Sequence, residues 1–358
     1  MNTRLLDLAE LTNHELDAWR TLATSVAEPN PFFEIELLVP ALTHLDPLRA
    51  VKLVTMWEGP RLCALFPVRY EPRWRRLPAT AMVTWLHDYC YLGTPLVAAD
   101  SLEPFAQALH AHLRSGPAAF AVLPWVNADG PVADALEHLR PLPSAFDGFE
   151  RALLERRDDG DYRSALGRET TRRLAQRRRA LERDLGTVRV VDHADDAGAQ
   201  EDFLALEAGG WKGTEGTAMA SDPAHAEFFR DMAGQFAKAG RLQLRSLRAG
   251  DETAAMSMRL VAEPGTFCFK IAYDERYKKY APGLQLELET LDSWSSAKAG
   301  VEWVDACTAP GNTFFEALFP QRRRLRTLVV PGRNAAYAIM LKMLSFAHHR
   351  RHKVRGTE

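Results

Sequence analysis

Apolar positions along the chain recur with two periods, and the two periods alternate in blocks. Leu16, Trp19, Leu22 and Ala23 return at helical spacing and predict a first helix over residues 11–27. Asn30-Pro31 interrupts it, and Phe32-Phe33 opens a second apolar helix that runs to Leu42. Strand-like runs follow at 50–57 and 61–70. Glu58-Gly59-Pro60 between them reads as the turn of a hairpin. Residues 81–86 and 92–97 read as further extended pieces, 102–113 as a helix, 118–126 as a buried strand and 132–139 as a helix. This mixture of helices and strands predicts an α/β or α+β fold.

The pattern then changes. Around 151–163 the chain turns charged, with the run Glu155-Arg156-Arg157-Asp158-Asp159-Gly160-Asp161, and a long basic helix is predicted over 164–185, ended by Gly186. Beyond it come a strand (187–191), a helix (197–208), a loop around Trp211-Lys212-Gly213 and a helix (223–239). A hairpin (241–248 and 253–261) turns on Ala249-Gly250-Asp251. A strand (266–273), a helix (284–299), a strand (301–307) and a final helix (333–349) complete the chain. The coarse order of helices, hairpin, strand, helix and strand repeats that of the first half. Two copies of one α/β unit are therefore expected, with domains at 1–155 and 156–358. A chain of 358 residues also exceeds what one core usually serves.

Composition narrows the class. Apolar residues make up 46% and charged residues 26%, the balance of a globular chain. The net charge of −2 leaves any polyanionic partner to a local patch. The apolar stretch from Ala335 to Ala347 is broken by Lys342 and is too short to cross a bilayer, and the first residues lack the apolar run of a signal peptide. Cys63, Cys90, Cys268 and Cys307 are widely spaced, without a C-x-x-C or histidines at ligand spacing. They read as buried thiols in a reducing compartment, so no metal and a cytoplasmic location are expected. No G-x-S-x-G, Walker loop or H-E-x-x-H occurs.

The strongest local signal lies in 267–289. Phe267, Phe269, Ile271 and Tyr273 alternate along a strand, with Cys268, Lys270 and Ala272 assigned to its other face. After Asp274 to Tyr280 the chain reaches Ala281-Pro282-Gly283 and opens a helix with Leu284, Leu288 and Leu291 on one side. A strand that leads through a glycine turn into a helix presents free backbone N–H groups at the positive end of the helix dipole, a cradle for phosphate.

With these residues the segment 269–287 resembles the cofactor-binding strand, loop and helix of GNAT acyltransferases, above all the CelD-like branch named for cellulose biosynthesis. That branch is related in fold to FemABX-type aminoacyltransferases. Leu206-Glu207-Ala208-Gly209-Gly210-Trp211-Lys212-Gly213, Gly216-Thr217-Ala218, Phe228-Phe229-Arg230, Gly240-Arg241-Leu242 and the stretch 305–312 carry the resemblance further. It implies two tandem GNAT-like domains, the first degenerate, each a mixed sheet flanked by helices. It also implies transfer of an acyl, in the first instance acetyl, group from CoA to an amine of a sugar- or amino-acid-like acceptor. A FemABX-like transferase using aminoacyl-tRNA, and a non-catalytic GNAT-fold protein of a polysaccharide or envelope pathway, are the alternatives. The usual R/Q-x-x-G-x-G/A loop is replaced here by Tyr277-Lys278-Lys279-Tyr280-Ala281-Pro282-Gly283, in which the proline removes one donor.

Direct attack of an amine on a thioester asks for a base, an oxyanion site and a proton donor to sulfur. Asp274, where the strand meets the loop, and Asp305, in the strand expected alongside, are rival bases. Tyr273 and Tyr280 are the candidate donors. Ala272, Lys279, Pro282, Gly283 and Leu284 are expected at the cofactor, and Trp211, Lys212, Lys270 and His87 at the acceptor. Lys270 has a second reading as the cross-sheet partner of Asp305. Arginines 163, 168, 172, 173, 177, 178, 179 and 183 stud the basic helix, and Arg322, Arg323, Arg324 and Arg326 form a second cluster. Arginine forks suit the 3′-phosphate of CoA, an acyl carrier protein or an anionic glycan precursor, and a solvated face explains them equally. The basic tail 348–353 is expected to fray.

Overall fold

The computed structural model describes residues 1–75, 77–157, 160–296, 300–332 and 335–355. The end of the helix expected through 299, the start of the last helix at Arg333 and the pair Asp158-Asp159 lie outside the described residues. So do the side chains of the tail 348–353. The chain divides into two compact units: residues 1–42, 46–150 and 323–358 form unit 1, and residues 43–45 and 151–322 form unit 2.

Unit 1 takes its elements in the order β1 (Asn2–Leu6), α1 (Asn13–Ala23), α2 (Ile35–His44), β2 (Lys52–Glu58), β3 (Arg61–Glu71), β4 (Ala81–Thr84), β5 (Leu96–Val97), α3 (Leu102–Ser115), β6 (Phe120–Asn127), α4 (Pro131–Glu137) and the first part of β7 (Ser144–Glu155). Unit 2 follows with α5 (Gly167–Leu185), β8 (Val188–Asp192), α6 (Ala197–Ala208), α7 (Trp211–Thr214), α8 (Pro223–Lys238), β9 (Leu242–Ala249), β10 (Glu252–Ala262), β11 (Gly265–Tyr273), α9 (Pro282–Ser296), β12 (Trp303–Asp305) and α10 (Thr313–Leu318). The chain ends with β13 (Gln321–Pro331) and α11 (Ala335–Arg355).

The expected duplication holds at the level of strand pairing. In unit 1, β1 to β4 are successively antiparallel, β4 pairs β6 in parallel, and β6 pairs β13 antiparallel. In unit 2, β8 to β11 are successively antiparallel, β11 pairs β12 in parallel, and β12 pairs residues 153–155 of β7 antiparallel. Each parallel pair is bridged by a helix, α3 or α9, which a parallel connection requires. The last strand of each sheet therefore comes from the other half of the chain. This differs from the two sequential domains expected at 1–155 and 156–358: residues 151–155 complete unit 2, and residues 323–331 complete unit 1.

Cores form where the periodicity placed them. Phe120, Val122, Phe146, Val329 and Leu341 share one cluster in unit 1. In unit 2, α9 divides its apolar side chains: Leu288 and Leu291 pack with Leu154, Val304 and Phe315, while Leu286 packs with Leu247, Ala255, Tyr277 and Leu181 of α5. The strands β1, β7 and β13 and the short α10 were not anticipated. The second arginine cluster proves to be strand β13, where Arg324 pairs with Asp129 and Arg326 with Glu137 at 2.6 Å. Among the described residues no helix is long and apolar enough to cross a membrane.

One buried ion pair closes the sheet of unit 2. Arg151 on β7 donates through Nη2 to Asp305 Oδ2 at 2.8 Å, with its Nε 2.7 Å from Oδ1, and both side chains are withdrawn from solvent. The backbone N–H of Cys307 also donates to Asp305, at 2.9 Å. A buried carboxylate is tolerable only when so matched, and removing one partner strands a charge. Arg151→Met is therefore expected to lower unfolding free energy by about 3–5 kcal/mol in urea titration. Arg151→Met with Asp305→Leu should recover most of it. A loss below about 1 kcal/mol for the single change would refute this reading of the pair.

Candidate active site

Two features meet where β11 ends. The first is a break in alternation. Met258 of β10 lies opposite Lys270, yet its neighbour Arg259 lies opposite Cys268, which leaves Phe269 as an extra residue. Such a bulge reverses the facing of all that follows. Cys268 and Lys270, expected on one face, thus point to opposite faces. Cys268 packs beside Leu288 and Leu291 of α9, and Lys270 reaches Glu207 of α6. The second feature is the parting of the parallel pair. Ladder pairing of β11 with β12 ends at Phe267 opposite Asp305, whereas pairing with β10 continues to Tyr273.

Past this point a pocket of 360 Å³ opens. Ile271 and Tyr273 line it from β11, Ala281 to Leu284 from the start of α9, and Asn312, Phe314 and Phe315 from the other wall. Its helix end is built by three local choices. Ala281 adopts the left-handed conformation at φ +53°, which turns the chain out of the short 3-10 segment 275–280. Pro282 occupies the first helical position, where its missing N–H costs nothing. Gly283 lets the helix approach β11, since a Cβ there would stand 3.3 Å from Ile271 Cδ1. Helix geometry leaves the first-turn N–H groups of Gly283 and Leu284 without intrahelical acceptors at the positive end of the dipole, and both residues line the pocket.

The expected residues distribute unevenly around this pocket. Tyr273, Pro282, Gly283 and Leu284 line it. Ala272 is buried on the other face of β11. Lys279 and Tyr280 instead line a second cavity, of 560 Å³, against α5, where the Tyr280 hydroxyl donates to Asp184. Asp305 is fully buried with Arg151, so its carboxylate cannot meet a substrate, and the expected Lys270–Asp305 pairing is replaced by Lys270–Glu207. Asp274 accepts from the backbone N–H of Arg276 at 2.9 Å and grips its guanidinium at 2.6 Å. That guanidinium holds the Asp274 carboxyl below the usual range, which makes it a weak base. His87 lies in unit 1, whereas every other candidate lies in unit 2.

Glu207 is the residue that sequence reasoning passed over. Its buried carboxylate accepts from Lys270 at 2.8 Å, Lys212 at 2.9 Å and the backbone N–H of Met219 at 2.9 Å. Burial alone would raise its pKa, and the two ammonium groups with the amide more than offset this, so the carboxyl sits below its ordinary value. Lys270 is the strained member: burial, with Lys212 beside it, pushes its ammonium below the usual range against the pull of Glu207. The cluster explains the Glu207-to-Gly213 motif. Lys212 is tied inward, and Gly213 is required because a Cβ would fall 1.7 Å from the carbonyl oxygen of Ala208. Trp211, on the short helix α7, remains 51% exposed, and its backbone N–H donates to Glu275 just beyond Tyr273. A signal existed in the motif, but the glutamate's partner lies 63 positions away.

The cluster sets an acid limit. Because the folded pKa of Glu207 is depressed, its contribution to stability is complete above the unfolded value of 4.5 and is lost as pH falls through the folded value. Wild type should therefore lose stability below that pH more steeply than Glu207→Gln, which should already be weakened at neutral pH. Equal acid slopes in chemical denaturation of the two proteins would contradict the assignment.

Comparison with known proteins agrees with this geometry. Residues 168–316 match the family model described as an acetyltransferase (GNAT) domain. A conserved protein of unknown function from Bacteroides thetaiotaomicron superposes with a TM-score of 0.59 at 10% identity, over 92% of this chain and 100% of that one. FemX superposes with a TM-score of 0.56 at 8% identity, over 95% of this chain and 100% of its own. A search among curated proteins finds no match. Residues 168–316 thus match a GNAT acetyltransferase domain, and the chain as a whole shares its fold with FemX.

Proposed function

We propose that the protein transfers an acyl group from an acyl-CoA thioester to the amine of a small acceptor of sugar or amino-acid type. The observation that carries this reading is the parting of β11 from β12 after Phe267, directly before a pocket walled by the N-terminus of α9. In this reading the donor's amide-bearing arm follows the backbone of Ile271 to Tyr273, and a phosphate rests on the N–H groups of Gly283 and Leu284. Phe314 and Phe315 exclude water from the thioester, and Asn312 borders it.

The reaction needs few groups. The neutral amine forms a C–N bond to the thioester carbonyl, the C–S bond breaks, and the departing thiolate takes a proton. Tyr273, whose ring borders the pocket, supplies that proton and is reprotonated, through water, by the proton that the attacking nitrogen sheds as the amide forms. Backbone N–H groups beside the pocket stabilise the oxyanion. The pocket lining offers no carboxylate among the described residues, and neither Asp274 nor Asp305 is assigned as the base. The ammonium proton therefore leaves through water before attack. A covalent route through Cys268 is disfavoured because burial pushes its thiol far above the usual range. Exposed Trp211, beside the end of β11, supplies an apolar platform for the acceptor. Cys63 and Cys90, both buried thiols, suit a reducing cytoplasm, where CoA thioesters are plentiful.

Acetyl-CoA at about 100 times its Kd should stabilise the protein by roughly 2.7 kcal/mol, read as a rise in Tm. The absence of any shift with acetyl-, butyryl- or palmitoyl-CoA would sink the proposal. Tyr273→Phe should lower kcat by about 10²-fold with KM for the donor unchanged. With the wild type, kcat/KM for the acceptor should climb with pH until the acceptor amine is deprotonated. A bell-shaped profile with a carboxylate-range acid limb would instead point to an enzyme base.

A further inference from the structure

Helix α5 and the turn that leads into it carry two populations of arginine. The inward set is neutralised: Arg163 meets Asp292 at 2.8 Å and Glu289 at 3.2 Å, and Arg178 meets Glu289 at 3.2 Å and the carbonyl of Val188 at 3.0 Å. The outward set is different. Arg173, Arg177, Arg179 and Arg183 line the 560 Å³ cavity with Lys279, and among the described residues none of these four arginines makes an ion pair. The one acid there, Asp184, is engaged by the Tyr280 hydroxyl and by Lys279 at 3.7 Å. Four like charges gathered in a concavity repel one another, and an anionic ligand relieves that repulsion.

The position of the cavity says where this ligand leads. Lys278 and Ala281 line the donor pocket, and Lys279 and Tyr280, between them in sequence, line the basic cavity. One loop therefore forms a wall of both. We propose that the outward face of α5 with Lys279 docks an acidic acyl carrier protein, whose phosphopantetheine arm delivers the thioester into the adjacent pocket. This rests on the acyltransferase reading and names the source of its donor. The amine acquires the acyl carbon, the C–S bond to the arm breaks, and the carrier departs as its protonated thiol.

Three observations favour a carrier protein over the other polyanions. The stripe from Arg173 to Arg183 spans about 15 Å along the helix, which matches a facing acidic helix and exceeds the reach of a single terminal phosphate. Pro282 removes one N–H from the cradle at α9, which suits the single phosphodiester of a phosphopantetheine arm. The aromatic ring in the cavity, Tyr280, is only 5% exposed with its hydroxyl taken by Asp184, so no ring face is offered to an RNA base.

The test offers acetylated holo-acyl carrier protein, acetyl-CoA, 3′-dephospho-acetyl-CoA and aminoacylated tRNA to the full chain, with Kd measured for each. It uses wild type, a triple Arg173→Glu/Arg177→Glu/Arg183→Glu variant and the corresponding triple Gln variant, with Tm recorded throughout. Wild type should bind the acetylated carrier, less tightly as NaCl is added. The Glu variant should lose about tenfold or more in carrier affinity and the Gln variant less, both at unchanged Tm, with acetyl-CoA affinity retained. Carrier affinity unchanged in both variants overturns the proposal. Weakened acetyl-CoA binding without weakened dephospho-acetyl-CoA binding overturns it in favour of a 3′-phosphate site. Charge-dependent tRNA binding without carrier binding overturns it in favour of RNA. Binding of acetyl-CoA but not carrier removes the carrier alone, whereas binding of no thioester removes the acyltransferase reading as well.

Discussion

Asp305 and Arg151 hold in place the point at which two parallel strands separate. Asp305 is the last residue of β12, and its partner in the β11 ladder, Phe267, is the last that β12 reaches. The pocket is built outward from that fixed end: the path of β11 onward to Tyr273, the gap beside it, and the start of α9 across the gap. A polar pair in this position adds little raw stability over a packed apolar pair, but its side-by-side geometry favours one register. Here register is what matters, because a shift by one residue would turn Ile271 and Tyr273 away from the pocket.

On the other face of β11, Glu207 does related work by different means. It gathers two lysines and a backbone amide from three separate pieces of chain, and so anchors α6, α7 and the turn at Met219 to the strand. Only the bulge at Phe269 makes this compatible with the pocket, by sending Lys270 to one side and Ile271 to the other. Arg259 and Glu287 form a further buried pair between β10 and α9 on the pocket side. The strand is thus pinned by matched charges on both faces, and the pocket on its α9 side is left mainly apolar.

Much of this was legible from residue order. The helices with a clear apolar stripe and the hairpins on Gly59 and Gly250 lie where periodicity and turn residues put them. The Pro282-Gly283 helix start was legible for the same reason, since it is a local choice of backbone. Strands β7 and β13 were not, because their exposed positions hold arginines and acids whose partners, such as Asp129 and Glu137 for β13, lie far off in sequence. The base candidates failed for a related cause. Asp274 and Asp305 were placed correctly along the chain, but which cation each would meet, Arg276 or Arg151, depends on the folded packing. Strand pairing also decides the facing of Cys268 and Lys270, and a bulge leaves no mark in composition.

The exchange of closing strands has an evolutionary edge to it. A gene that arose by doubling an ancestral half would ordinarily be free to discard the copy without a working site. Here the half that lacks the Pro282-Gly283 loop owns the strand bearing Arg151, and the half that has the loop owns the strand that completes its sibling. Neither copy can be lost, shortened to its recognisable domain or transplanted alone without leaving a raw sheet edge and an orphaned buried acid. Each half is thereby kept by inheritance of structure.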